Sequence, residues 1–258
     1  MMSRKKFLVS PSVLWLFVLL MFSFLVSSHN TQLFKILNSL NSNLSDSFWL
    51  SMTTLGDGLL LGIILGMFVI VNPRITAFGL ILILSSSVAV HAIKSFLPEL
   101  RPAAALADVH VVGPILRSGG FPSGHAAAAM ATALALAHFS SSRVLKTILL
   151  MFAVLVCLSR IFVGAHFPND VIWGMIISLA LYEALSEFIW PRIELYVPEI
   201  PLLDSHFFRA LLALEVAMAS FCLVVYSQVF AEFPPVAIAV SSGVLTFFVA
   251  AFIKLVKR

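Results

Sequence analysis

Eight apolar runs, most of them near the length of a membrane-crossing helix, partition this chain: residues 13–26, 59–71, 75–96, 123–138, 145–162, 171–190, 207–230 and 236–253. About twenty apolar residues cover the roughly 30 Å hydrocarbon core as a helix. Within that core the backbone must pair its own polar groups. A soluble domain with 60% apolar and 11% charged residues would lack the polar surface that water requires. The mean hydropathy of +1.06 agrees. The fold expected is an all-α integral membrane bundle of about eight spans, the second being the shortest. The net charge of +4 is not a nucleic-acid footprint, because in such a chain its distribution over the loops matters more than its sum. Cys157 and Cys222 both fall in apolar runs, where free thiols behave as small buried hydrophobes, so no disulfide framework is expected.

Arg4, Lys5 and Lys6 precede the first run, with Val26 and Ser28 placed as in a signal-peptide cleavage site. An uncleaved first span is the favoured reading, since the later spans hold the chain in the membrane in any case. In residues 31–51, Leu33, Ile36, Leu37, Leu40, Leu44 and Phe48 recur at helical spacing, and Asn and Ser fill the other face. This reads as an amphipathic helix on the membrane surface, either a packing element or a lid that guides substrate. Asn72-Pro73-Arg74 forms a turn, residues 97–121 a Pro- and Gly-rich loop, and the fourth run is dense in Ala, which lets helices approach closely.

Lysine and arginine set the orientation. With the N-terminus inside, eleven of the sixteen lie on the inner side: Arg4, Lys5, Lys6, Arg74, Arg143, Lys146, Arg192, Arg209, Lys254, Lys257 and Arg258. Lys35, Lys94, Arg101, Arg117 and Arg160 lie outside. Both termini are then cytoplasmic. Trp15, Trp49, Trp173 and Trp190 sit near span ends, as interfacial aromatics do.

Three polar clusters emerge on that outer side: Lys94 with Arg101-Pro102, Pro122-Ser123-Gly124-His125, and Ser159-Arg160 with His166 and Asp170. Ionisable groups at a membrane boundary are expensive and imply a purpose. Lys94, Arg101 and Arg160 outnumber Asp170, a surplus suited to a phosphate carrying about −1.5 to −2 charges. Ser123 and Gly124 open a helix whose N-terminal N–H groups would cradle an anion, and Ser123 can serve as N-cap as well as donor. His166, with Asp170 on its other nitrogen, is the candidate nucleophile. His125 is the candidate acid that protonates the leaving oxygen and then activates water. No cluster has the ligand content of a metal site, so neither a metal nor another cofactor is expected.

These residues are identified with a known pattern. Lys94, Arg101 and Pro102, then Pro122 to His125, then Ser159, Arg160, His166 and Asp170 match in order and spacing the type 2 phosphatidic acid phosphatase family. That family shares its site with vanadium haloperoxidases and bacterial acid phosphatases. The resemblance covers residues 56–190. It implies a metal-independent hydrolase passing through a phosphohistidine on His166, within a membrane phosphatase domain at 1–206. The two spans in 207–258 lie outside the family's usual six. Membrane members resemble this chain in a Gly-Asp near the second span, which puts Asp57 at the head group or, equally, at a helix N-cap.

The function so implied is dephosphorylation of a lipid phosphate or diphosphate at the outer leaflet, the periplasmic side of a bacterial inner membrane. Undecaprenyl diphosphate, phosphatidylglycerol phosphate, phosphatidic acid and lipid A are the substrates to consider. A lipid phosphotransferase using the same phosphohistidine is the alternative, and an anion transporter a more distant one. His91 reads as a packed neighbour of Lys94, and Glu183, Glu187 and Glu215 as partners of Arg209 or of one another. No nucleic-acid partner is expected, and nothing in the sequence fixes the oligomer.

Overall fold

The computed structural model describes residues 10–40 and 46–199, and among them every regular element is helical. Helix α1 (Pro11–Ser27) starts where the Ser10 hydroxyl accepts the Val13 N–H and Pro11 takes a position that needs no N–H. It is followed by α2 (Asn30–Ser39), turned 91° from it. The amphipathic stretch expected as one helix is described as two, α2 and α3 (Asp46–Thr54), on either side of residues 41–45, which are not described. Helix α4 (Gly58–Met67) runs into one 3-10 turn at Phe68–Ile70, and Asn72 then caps α5 (Pro73–Phe96) by accepting the Arg74 N–H. A short α6 (Pro102–Ala105) interrupts the long loop. Helices α7 (Gly124–Phe139), α8 (Arg143–Phe162) and α9 (Pro168–Ala184) follow. The last of these widens into a π turn at Leu185–Ile189 before α10 (Trp190–Ile193). Pro191 has no N–H to give to the preceding turn, and the wider turn accommodates that loss.

Among the described residues three helices are long and apolar enough to cross a membrane, Pro73–Phe96, Arg143–Phe162 and Pro168–Ile193. There are five if each of the bent pairs α1–α2 and α3–α4 counts as one span. The sixteen residues of α7 rise only about 24 Å. Its place explains how so short a helix suffices. Helix α7 is the centre of the bundle, packed by α5, α8 and α9, and Ala126–Ala137 is buried on nearly every side. A helix apolar all round suits either a protein core or lipid, and here it is the burial that puts α7 inside the protein. Its alanines bring the neighbours close, and Gly174 of α9 shows how close: a Cβ there would lie 2.5 Å from the Ser123 carbonyl oxygen. The runs at 207–230 and 236–253, with Arg209 and Glu215, lie outside the described residues.

Helix α1 runs antiparallel to α9. The Ser10 hydroxyl donates to Glu183 Oε1 (3.0 Å) at one end, and Ser23 donates to Asn169 Oδ1 (2.7 Å) at the other. Glu183 thus accepts from a hydroxyl, and Arg209, one partner expected for it, lies outside the described residues. Two tryptophans also differ from expectation. Trp190 is buried edge-on to Phe78 (5.1 Å), and Trp49 is buried and stacked on Phe162 (4.1 Å, 20°). Both spend their area on protein packing instead of on an interface belt. Trp15 is exposed.

Candidate active site

Alternating helix direction brings the C-terminal ends of α5 and α8 and the N-terminal ends of α4, α7 and α9 to one end of the bundle. The three polar clusters meet there. Lys94, Arg101, Gly124, His125, Arg160 and His166 line a single cavity of about 650 Å³, with Asp57 at its edge.

The cations are oriented by carbonyls of the long loop. Lys94 Nζ donates to the Gly119 oxygen (2.8 Å) and Arg101 Nε to the Ser118 oxygen (2.9 Å). The loop holds its shape through Arg101 N–H to the Arg117 oxygen (3.1 Å) and Gly120 N–H to the Glu99 oxygen (2.9 Å). Arg101 Nη1 donates in addition to the Ala165 oxygen (3.2 Å) and stands 3.3 Å from His166 Nε2. Burial pulls the Arg101 guanidinium down from its ordinary pKa, and the Asp170 carboxylate opposes that pull.

His166 is 1% exposed. Its Nε2 faces Arg101 and the cavity, and its Nδ1 lies 3.5 Å from Asp170 Oδ2 with no closer acceptor. Asp170 is the third residue of α9 and accepts the Phe167 N–H (2.9 Å), a bond back to the helix start that fixes the carboxylate beside the ring. Burial first, then the charges of Arg160, Arg101, Lys94 and His125, hold the His166 imidazole well below the usual 6.5. The ring at rest is neutral, with a lone pair free at one nitrogen.

Ser123 is fully buried as the N-cap of α7, accepting the Ala126 N–H (3.4 Å) and donating its own N–H to the Asp170 carbonyl (2.9 Å). That bond ties the two helix N-termini together. Asp57 is the N-cap of α4, with Oδ1 accepting the N–H groups of Leu59 (2.8 Å) and Leu60 (3.3 Å). Its Oδ2 lies 4.0 Å from His125 Nε2. It thus has the capping role and also faces the cavity. Ser159 of the third cluster is turned away, its hydroxyl donating to the Val156 oxygen (2.6 Å). His91 is not a packed neighbour. It is exposed, donates from Nδ1 to the Ser87 carbonyl oxygen (2.8 Å), and lines the cavity one turn from Lys94. Among the described residues no three His, Cys, Asp or Glu side chains gather as metal ligands would.

Two polar residues at or near the site were missed in the sequence. Thr53 of α3 accepts a hydrogen bond from Arg160 Nη1. Asn38 of α2 is buried, with Nδ2 donating to the oxygens of His110 (3.0 Å), Phe162 (3.1 Å) and Ile161 (3.3 Å), and Oδ1 accepting the His110 N–H (3.0 Å). Both lie outside the motifs, and a lone Thr or Asn in an amphipathic stretch carries no spacing signal.

Residues 74–194 match the PAP2 superfamily model. The structure of LpxE from Aquifex aeolicus is similar, with 31% identity and a TM-score of 0.56, over 62% of this chain and 95% of that one. The fold is shared with the transmembrane PAP2-type phosphatidylglycerolphosphate phosphatase of Bacillus subtilis, at 21% identity and a TM-score of 0.54, over 70% of this chain and 94% of that one. Undecaprenyl-diphosphatase BcrC of Bacillus subtilis (strain 168) is 30% identical over 92 residues, 34% of this chain and 47% of the relative, so the chain spans about half of that protein. With the three clusters joined in one cavity and this likeness along the bundle, the chain belongs to the PAP2 superfamily.

Proposed function

We propose that this protein is a membrane lipid phosphatase that hydrolyses a lipid phosphate or diphosphate through a phosphohistidine on His166. The observation that carries the reading is the makeup of the cavity. Its lining joins Lys94, Arg101, Arg160 and both histidines to the apolar side chains of Leu59, Leu80, Ile83 and Leu84 from α4 and α5. A ligand that fills it is anionic at one end and apolar along its length.

In the first step the His166 Nε2 lone pair attacks phosphorus in line. The bond from phosphorus to the lipid oxygen breaks, and the departing oxygen takes a proton from the His125 imidazolium. Asp170 on Nδ1 stabilises the positive charge that develops on the ring. Lys94, Arg101, Arg160 and the N–H groups at the start of α7 face the charge on the phosphoryl oxygens. In the second step neutral His125 takes a proton from water and the oxygen attacks phosphorus. The N–P bond breaks, leaving His166 neutral, His125 protonated and phosphate free. The balance is one water consumed for each lipid hydroxyl and phosphate formed. Side chains and the attacking water carry every proton in this scheme and no step calls on a metal, so turnover is expected to persist in excess chelator.

The count of inner lysines and arginines supports placing this end of the bundle at the outer, periplasmic leaflet of a bacterial inner membrane. The likeness to an undecaprenyl-diphosphatase makes a prenyl diphosphate the first substrate to try, ahead of phosphatidylglycerol phosphate, phosphatidic acid and lipid A. Gly62 offers a test of the lipid end. It lines the cavity, and a Cβ there would meet nothing within 4 Å. Gly62→Leu should fill open space, lowering kcat/KM for long-chain lipid phosphates by roughly tenfold while sparing a water-soluble aryl phosphate. Equal losses on both substrates, or none on either, would contradict a tail in that groove. Phosphate release from a panel of purified lipid phosphates in detergent tests the activity itself, and silence on all of them would refute it.

A further inference from the structure

We propose that Thr53 is a positioning residue for Arg160, which makes α3, an element outside the matched segment 74–194, part of the phosphate site. The proposal rests on reading the cavity as a phosphate site.

Arg160 is buried near the end of α8. Among the described residues its guanidinium has one hydrogen-bond partner, the Thr53 hydroxyl at Nη1, and its Nε has none. A guanidinium carries five N–H donors in a rigid planar fork. One anchor therefore sets the plane of the fork and leaves the other donors for a ligand. The remaining site cations are held differently, Lys94 and Arg101 by carbonyls of the 97–121 loop. Arg160 alone among the three takes its orientation from a side chain on another helix.

The neighbouring threonine supplies a control within the structure. The Thr54 hydroxyl turns back to its own helix and donates to the Leu50 oxygen (2.8 Å). The Thr53 hydroxyl crosses to α8. Helix α3 is fixed there from both sides of the contact. Trp49 stacks on Phe162, and Gly56 brings the chain so near α8 that a Cβ would fall 2.4 Å from Val156 Cγ1, one turn before Arg160. Thr53, Thr54, Asp57, Arg101, His125 and Arg160 also line a second chamber of about 310 Å³ on the α3 side. The guanidinium thus stands between two spaces, and the Thr53 hydroxyl decides how its free donors are shared between them.

The test uses the full-length protein in detergent and inorganic phosphate as the probe, with binding measured by calorimetry. Thr53→Val keeps the volume and removes the hydroxyl, and Thr53→Ser keeps the hydroxyl. The expected result is phosphate binding weakened about tenfold in Thr53→Val and within about twofold of wild type in Thr53→Ser. In an Arg160→Lys background Thr53→Val should add almost nothing, because its effect passes through the guanidinium. Thermal midpoints taken without phosphate report folding. Should Thr53→Val not fold, Thr53→Ala carries the same comparison. Wild-type binding in Thr53→Val, equal losses in the Val and Ser variants, or additive losses with Arg160→Lys would overturn the assignment. A wild-type protein that binds no phosphate overturns the reading of the whole site, and this proposal with it.

Discussion

At the scale of the residue, the two histidines have different surroundings and different duties. His166 is buried with three cations around it, which keeps the ring neutral and its Nε2 lone pair available below the usual imidazole range. The sign follows directly. A nucleophile must be deprotonated, and a lowered pKa extends the deprotonated form toward acid. The His166 titration, read by NMR on the free protein, is expected below 6.5, and the corresponding acid limb of kcat/KM with it. A His166 titration at or above 6.5 would refute the account of its surroundings. Replacing His125 with Ala removes the proposed proton donor and should lower kcat roughly a hundred- to ten-thousandfold. His166→Ala should abolish phosphate release, with both variants still folded by thermal midpoint. The gathering of Lys94, Arg101, His125, Arg160, His166 and Asp170 was legible in the sequence, where they stand in three spaced clusters at span ends. The partners that aim them were not. The carbonyls of Ser118 and Gly119 have no side-chain signature, and Thr53 reaches Arg160 across 107 positions.

At the scale of the element, helix ends do most of the positioning. Ser123 and Asp57 are N-caps whose helices point at the cavity, and the Phe167 N–H donated to Asp170 sets the carboxylate beside His166. The apolar runs predicted these helices well because membrane spans must satisfy their backbones internally. The stretch 31–51 was harder to read. Its apolar positions have helical spacing, but Phe34 of α2 packs fully buried against Phe167 (5.2 Å), and α3 lies along α8. Phe34 and Asn38 are turned onto the protein, whereas Ile36 and Leu40 of the periodic apolar face stay exposed. Asn38 clasps α2 to the long loop and to the end of α8. Asn38→Ala removes the side-chain partner of the His110 and Phe162 carbonyls and of the His110 N–H, while the Ile161 carbonyl keeps the Gly164 N–H, so a loss of about 1–3 kcal/mol is expected in chemical denaturation. An unchanged midpoint would show that the clasp contributes nothing.

At the scale of the whole molecule, the bundle separates a polar reaction end from an aromatic opposite end. There Phe78 packs on His138, Phe139, Tyr182 and Trp190. Ile193 and Val197 join that cluster, and Arg74 Nε donates to the Val197 oxygen (3.2 Å). A chain cut at 190 would strip this end of its cover, whereas a chain ending at Glu199 keeps it. The shorter cut is expected to lose stability, and the longer to retain phosphate release if residues 207–258 are accessory. A folded but inactive 1–199 protein would place those residues in the reaction. The central claim is that the His166 imidazole takes the phosphoryl group before water does. Rapid mixing with a lipid phosphate, quenching in base, and peptide mass mapping address it directly. The account predicts a phosphoryl group on the peptide containing His166 that appears before free phosphate and is absent from His166→Ala. Free phosphate released with no phosphorylated histidine before it, at the same rate in His166→Ala, would contradict it.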